Sequence, residues 1–403
     1  MEKERENIAS GSPGINPVKL NDCIEQLLEF ILQAFINGTL DFDLGLSTNF
    51  CATLLNPNHD HDVHQFQSES PSISSGLPLY PLYKSLASAL HQCIMSGSFV
   101  SVFETVSPMS EDDSLKELKE KWNELISVKG FELVNLLNSI RFELHVQEPY
   151  FTQLKDGLKT VEGRCAVGNY NRIGWGDLIF FNKCLMLEVQ DVRRHASFYK
   201  MLEAESLEKV LPGVLTIEEG EQIYRNFYSK EKEQSNGVLA ICVGKPASQP
   251  YSLLSDIIAG LGYKGIQSLL GLKHTIGTTP EALPPPRSTL LSSFMLPQNP
   301  NVKGCSLTDG ARALSKHVNR CSSQYWGKLE GNDSSKNQHA MKVITHILDH
   351  CNWLNVHIVR PHGAVFEIRV PEGYGARWSS DGTKFIGFLE PYMEDGHSKK
   401  WRH

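Results

Sequence analysis

No Cys-x-x-Cys pair occurs anywhere in this chain. Its nine cysteines (Cys23, Cys51, Cys93, Cys165, Cys184, Cys242, Cys305, Cys321 and Cys351) are scattered and odd in number. That pattern argues against both a disulfide framework and a structural zinc site, and is expected of reduced, mostly buried small hydrophobes. No apolar run approaches the roughly 18 residues of a membrane span, so no membrane partner is expected. The opening MEKERENIAS is polar and acidic where a secretory signal needs a hydrophobic stretch, and the expected setting is the nucleus or cytoplasm. A phosphate-cradling P-loop is missing, because GLGYKG (260–265) lacks both the spacing and the terminal Lys-Ser/Thr pair. A G-x-S-x-G nucleophile elbow is missing too. The run His59, Asp60, His61, Asp62 and His64 has the chemistry of metal ligands but sits in a polar stretch without convergent spacing, so it is expected to be a solvated loop. Neither a metal nor a cofactor is called for.

What is present is a globular composition, 40% apolar and 21% charged over 403 residues, enough for two or three domains. Charge is uneven. The first 140 residues carry 8 Lys and Arg against 19 Asp and Glu, whereas residues 303–403 carry 14 against 10 together with 8 of the 15 histidines. Phosphate is therefore a more natural partner for the C-terminal part than for the N-terminal part.

Residues 1–18 are expected to be disordered. Helical spacing follows over Ile24, Leu27, Leu28, Ile31, Leu32, Phe35 and Ile36, and it recurs twice before residue 140. Residues 19–140 thus form an acidic helical region, a candidate surface for protein partners. From 141 to 250 the pattern changes to short strands punctuated by glycine, with a helical excursion that includes FYKMLEAESLEKVLPG. This predicts a small, partly closed β-barrel with helices packed on it. Residues 251–302 are expected to be a helix and a Pro/Ser-rich linker, and 303–403 a C-terminal α+β domain in which SSDG marks a hairpin.

The segment 156–164, DGLKTVEGR, places Gly157, Lys159, Glu162 and Arg164 in a G-x-K-x-x-E-x-R pattern ahead of GWGDLIFFN. This resembles the signature of the ASCH (activating signal cointegrator homology) family over residues 142–246, in a plant-type arrangement with extra N- and C-terminal regions. The resemblance implies an α+β protein with a barrel of the PUA-like superfamily (pseudouridine synthase and archaeosine transglycosylase). It also implies a cleft that takes RNA, other nucleic acid or nucleotides, and a role in transcription coactivation or RNA processing. On that basis Lys159 and Arg164 are expected to contact phosphate or a base edge, with Glu162 accepting a hydrogen bond from a base or holding the cations. Trp175 offers a stacking face, and Arg193 and Arg194 extend a basic rim. The competing reading is a surface salt-bridge cluster on a first helical turn, with Trp175 packed on the barrel end.

Some family members hydrolyse an acetylated nucleoside, which implies a catalytic alternative built on Lys159 with Glu162 and a distal acid, Glu205 or Glu208. Here Glu162 stands where those enzymes have a threonine nucleophile, so a carboxylate acting as general base would be required. A third possibility is a protein-interaction scaffold. In the C-terminal part, His317, His357, His362, Arg369 and Arg377 are candidates for a phosphate-contacting surface, or for an acid–base pair as in metal-free ribonucleases.

Overall fold

Apolar residues at helical spacing become helices here, and short continuous apolar runs become strands. The computed structural model describes residues 20–39, 42–57, 76–100, 114–299, 301, 306–318 and 324–391. The expectations for residues 1–18 and for the His59-to-His64 run fall outside these residues. In chain order the helices are α1 (Leu20–Ile36), α2 (Thr48–Leu55), α3 (Leu82–Ser96), α4 (Ser114–Leu125), α5 (Phe131–Asn138), α6 (Tyr150–Lys155), α7 (Phe198–Glu205), α8 (Leu207–Val210), α9 (Ile217–Arg225), α10 (Lys230–Asn236), α11 (Pro250–Leu269), α12 (Arg287–Phe294), α13 (Asp309–Ser315) and α14 (Asp333–His350). The strands are β1 (Phe142–Leu144), β2 (Val161–Cys165), β3 (Leu178–Phe181), β4 (Leu185–His195), β5 (Val238–Gly244), β6 (Trp353–Val359), β7 (Gly363–Arg369), β8 (Gly375–Ser379) and β9 (Phe385–Leu389). No helix among the described residues is long and apolar enough to cross a membrane.

The chain divides into two compact units, one drawn from Met1–Phe30 and Val128–Asp256, the other from Ile31–Ser127 and Ile257–His403. In the first, five strands form a curled half-barrel in the order β1-β3-β4-β5-β2. β1 runs parallel to β3, and the other pairings are antiparallel. β3 and β5 are almost wholly apolar, LIFF and VLAICVG, because both of their faces are covered. A bulge between Val189 and Asp191 breaks the ladder of β4 and re-aims the half of that strand carrying Arg193 and Arg194. The expected helical excursion is α7 to α10, and Ser197, Thr216 and Ser229 cap three of these helices. Phe198 stacks on Tyr224 at 4.1 Å and packs with Met201, Leu202, Val161 and Val238. Buried Glu233 accepts from the Phe198 amide and pairs with Arg225.

The second unit carries an antiparallel meander, β6-β7-β8-β9. Alternation divides its side chains between two faces. Val356, Phe366, Ile368, Ala376, Trp378 and Phe388 form a buried apolar face that meets α12, α13 and α14. Asn355, His357, Glu367, Arg369 and Arg377 lie on the other. The SSDG hairpin forms, closed by Ser379 N donating to Lys384 O at 2.9 Å. One expectation needs correction. The Pro/Ser-rich stretch after α11 is no bare linker: Pro286 caps α12, whose Leu290 and Phe294, four residues apart, are buried. Tyr80 Oη donates to Pro284 O and Leu77 N to Leu348 O within the second unit. The apolar face of α3 requires that cover.

Gly163 in β2 lies under Tyr224 and Met201. A Cβ there would stand 2.5 Å from Tyr224 Oη and 2.7 Å from Met201 Cε. Gly163→Ala is expected to lower stability by about 1–3 kcal/mol, read as a lower urea midpoint at unchanged slope.

Candidate functional sites

The G-x-K-x-x-E-x-R stretch occupies the junction of α6 and β2. Gly157 closes the turn with a left-handed φ of 73°, and Lys159 N donates to Gln153 O at 3.0 Å. Glu162 and Arg164 then follow two residues apart on one face of β2. The trio is therefore on a strand and its approach, not on a helical turn. It is also buried. Lys159 is 2% exposed, with its Nζ 3.1 Å from Glu162 Oε2 and donating to Val161 O at 2.8 Å and to Val210 O. That gives three partners for three N–H groups. Arg164 Nε lies 2.9 Å from Glu162 Oε1, and Nη2 donates to His145 O at 2.7 Å.

Burial alone would raise the Glu162 carboxyl, but Lys159 and Arg164 outweigh it and hold the group below its usual range. Tyr150 and Tyr170 set their rings about the two cations, at 5.9 and 6.0 Å. Burial also pulls the Lys159 ammonium below its usual range, against the attraction of Glu162. Phosphate cannot reach Lys159 Nζ without displacing one of its partners, so this lysine is a positioning group. Arg164, partly exposed, is the member that faces outward.

The remaining barrel candidates fall elsewhere. Glu208 is exposed on α8. Glu205 is buried instead, with Oε1 3.0 Å from His195 Nε2 and Oε2 2.9 Å from Arg193 Nη1. Arg193 also pairs with Asp191 at 2.9 Å and donates to Cys242 Sγ at 3.0 Å. Glu205, Arg193 and Cys242, with Thr160, Ser206 and Lys209, line a shallow cleft of about 320 Å³. Trp175 is 80% exposed, which removes the reading that packs it on the barrel end. Arg194 is exposed and donates to Asn171 Oδ1. The tyrosines around the trio had no signature in sequence, because they arrive from separate elements.

In the second unit the polar sheet face gathers what sequence spacing left apart. Glu367, 2% exposed at its side chain, accepts from Arg369 Nε at 2.7 Å and from Arg377 Nε and Nη2 at 2.9 and 2.6 Å. His357 Nε2 lies 3.3 Å from the same carboxylate. Burial would raise this carboxyl; the His357 hydrogen bond and the two guanidiniums bring it down to about 2. Arg369 also reaches past Gly375, donating to Gly373 O at 2.7 Å and Glu390 O at 3.0 Å. A Cβ at position 375 would stand 2.9 Å from Arg369 Cγ and 2.1 Å from Ile368 O, so the bare backbone opens this route.

His317 belongs to a different group. Its Nδ1 lies 2.7 Å from Glu390 Oε1, which also accepts from Trp326 Nε1 at 2.9 Å, and both rings pack against Phe388 on the helix side of the sheet. His362 is exposed in the β6–β7 turn, apart from the others. Sequence reasoning found the bases and missed the acid. The signal was the Glu-x-Arg spacing of Glu367 and Arg369 on one strand face, with Arg377 directly across the ladder. Among the described residues, no three His, Cys, Asp or Glu side chains converge as a metal site.

Fold and sites together define a mixed α+β chain with buried ionic clusters in both units. Residues 144–247 match the family model of the ASCH domain, and the chain is to that extent an ASCH-domain protein. Residues 297–390 match the model of the CdiA C-terminal tRNase toxin domain. No curated protein matches. Two similar solved structures are the crystal structure of hypothetical protein PH0355 and the NMR structure of protein PF0455 from Pyrococcus furiosus. Each is 42% identical over 26% of this chain and 97% of its own, with a TM-score of 0.25. A third, the toxic C-terminal tip of CdiA from Pseudomonas aeruginosa in complex with its immune protein, is 31% identical over 25% of this chain and 99% of its own, with a TM-score of 0.21. None of these speaks for a plant-type arrangement.

The Glu367 cluster has a signed pH consequence. A carboxyl brought from 4.5 to about 2 by folding contributes stability that is complete above 4.5 and lost as pH falls toward 2. Glu367→Gln is expected to cost about 3–5 kcal/mol at neutral pH, since it strands buried cations. The gap between variant and wild type in urea melts should shrink steadily below pH 4.5.

Proposed function

We propose that this chain acts on RNA, the ASCH unit holding it and the C-terminal sheet cleaving it. The observation that carries the proposal is the Glu367 cluster. A buried carboxylate, two arginines and a histidine share the polar face of a sheet, inside the segment that matches a tRNase toxin domain. For the ASCH unit, the support is the family's general assignment to RNA.

The chemistry such residues suit is transesterification at an RNA phosphate. With Nε2 directed at Glu367, His357 keeps Nδ1 to accept the proton of a ribose 2′-hydroxyl. The 2′-oxygen bonds to phosphorus, the bond from phosphorus to the 5′-oxygen breaks, and the departing oxygen takes a proton from water. A 2′,3′-cyclic phosphate remains. Arg377 Nη1 and Arg369 Nη2 have no partner among the described residues, and these N–H groups suit the charge that builds on the equatorial phosphoryl oxygens. Glu367, too acidic to be the base, holds the histidine and both guanidiniums in place. The nucleoside-hydrolase alternative has less support, because Lys159 has no free N–H.

Wild type is expected to cut transfer RNA or single-stranded RNA, leaving cyclic phosphate ends. His357→Ala should lower kcat/KM at least ~100-fold. His317→Ala, behind the sheet, should lower the melting temperature without a comparable loss of rate. RNA left intact by wild type would remove the cleavage half of the proposal.

A further inference from the structure

Trp175 is the most exposed tryptophan side chain among the described large hydrophobics, at 80%, yet the turn that carries it is rigidly held. Gly174 N donates to Asp177 Oδ2 at 2.8 Å, Gly176 N to Val189 O at 2.8 Å, and Val189 N to Asp177 O at 2.9 Å. Gly176 has φ +80°, a conformation that costs glycine little. The turn is thus tied to β4, and it projects the indole into water instead of folding it onto the barrel.

Three arginines belong to this turn's contacts or to the 3-10 turn that leads into it. Arg141, 74% exposed at its side chain, lies 3.4 Å from Asp177 Oδ1, so it is attached to the same turn. Arg172 ends the 3-10 turn Gly168–Arg172, three residues before the indole, and has no acidic partner among the described residues. Arg194 donates to Asn171 Oδ1, and Asn171 in turn donates to Ala166 O at 2.9 Å, which fixes that contact. Of the three, Arg141 alone has a carboxylate partner among the described residues, Asp177. Asp191, near on β4, is already paired with Arg193.

We propose that this turn is a docking platform for single-stranded RNA, with one unpaired base stacked on Trp175 and the flanking phosphates on Arg141, Arg172 and Arg194. The inference rests on the RNA reading above and deepens it. An exposed indole can stack only on a base already free of its partner, because a duplex hides its base faces. Guanidiniums distributed along a rim, unlike a closed pocket, suit a backbone that passes across it. The platform is distinct from the buried trio, whose lysine has no group left to offer. It also supplies what the trio lacks, cations and an aromatic face in contact with solvent.

The probe is a short 2′-O-methyl oligouridine, which has no free 2′-hydroxyl and therefore survives any cleavage by the full chain. A 2′-O-methyl duplex of similar length serves beside it. Trp175→Ala is expected to weaken single-strand binding roughly 5- to 100-fold and to leave duplex binding unchanged, with Trp175→Phe retaining most of the affinity. Arg172→Ala and Arg194→Ala should each reduce the slope of log affinity against log salt by about 0.7. Single-strand affinity unaltered in Trp175→Ala, or an equal loss for strand and duplex, would overturn the platform. If wild type nonetheless cuts natural RNA, the platform falls alone. If wild type neither binds nor cuts RNA of any kind, the RNA reading falls with it.

Discussion

Removing a carboxylate from water is costly unless cations and N–H groups replace the lost hydration, and both units bury glutamates where that demand must be met. Glu162 meets it with Lys159 and Arg164, while Glu367 meets it with His357, Arg369 and Arg377. Much of the local geometry follows. Arg369 must lie flat across the sheet, so position 375 is bare; Lys159 must find carbonyls, so the chain around Val161 and Val210 closes over it. In both clusters the cations outnumber the acid. Around Glu367 two guanidiniums face one carboxylate, and the positive charge left over favours an anion.

The two clusters differ in what they leave over. Around Glu162 the lysine is saturated and the arginine has one carbonyl and one carboxylate, so the group is mostly committed to holding itself together. Around Glu367, Arg377 meets the carboxylate with Nε and Nη2 and keeps Nη1, whereas Arg369 spends Nε on the carboxylate and Nη1 on two carbonyls; the imidazole uses one nitrogen of two. What this cluster leaves over is a few N–H groups and one imidazole nitrogen, where the lysine of the other leaves none.

How much of this was legible beforehand depended on range. Elements announced by local pattern, such as β3 with LIFF, the SSDG hairpin and the helical excursion after β4, could be read directly. The G-x-K-x-x-E-x-R spacing located the trio but not its burial, because exposure depends on Tyr150, Tyr224 and the α8 segment arriving from elsewhere. Composition misled at 278–302, where prolines that look like a linker instead set the entry to α12, whose Leu290 and Phe294 are core residues. Glu367 went unnoticed because an acid in an amphipathic strand is ordinary until three basic side chains from separate strands or positions converge on it. Exposure of Trp175 likewise needed the turn geometry, since Gly-Trp-Gly permits packing and projection equally.

The chain visits the two units alternately, and completion of one is separated from completion of the other. During synthesis the barrel unit has all its strands once β5 and the start of α11 have emerged. Residues 31–127 must wait for a sheet whose last strand ends at Leu389. For more than half of translation, the apolar faces of α3 and its neighbours are without their final cover, while an already folded barrel is available to nascent contacts. The N-terminal helices are thus the part of this molecule that waits longest between emergence and cover.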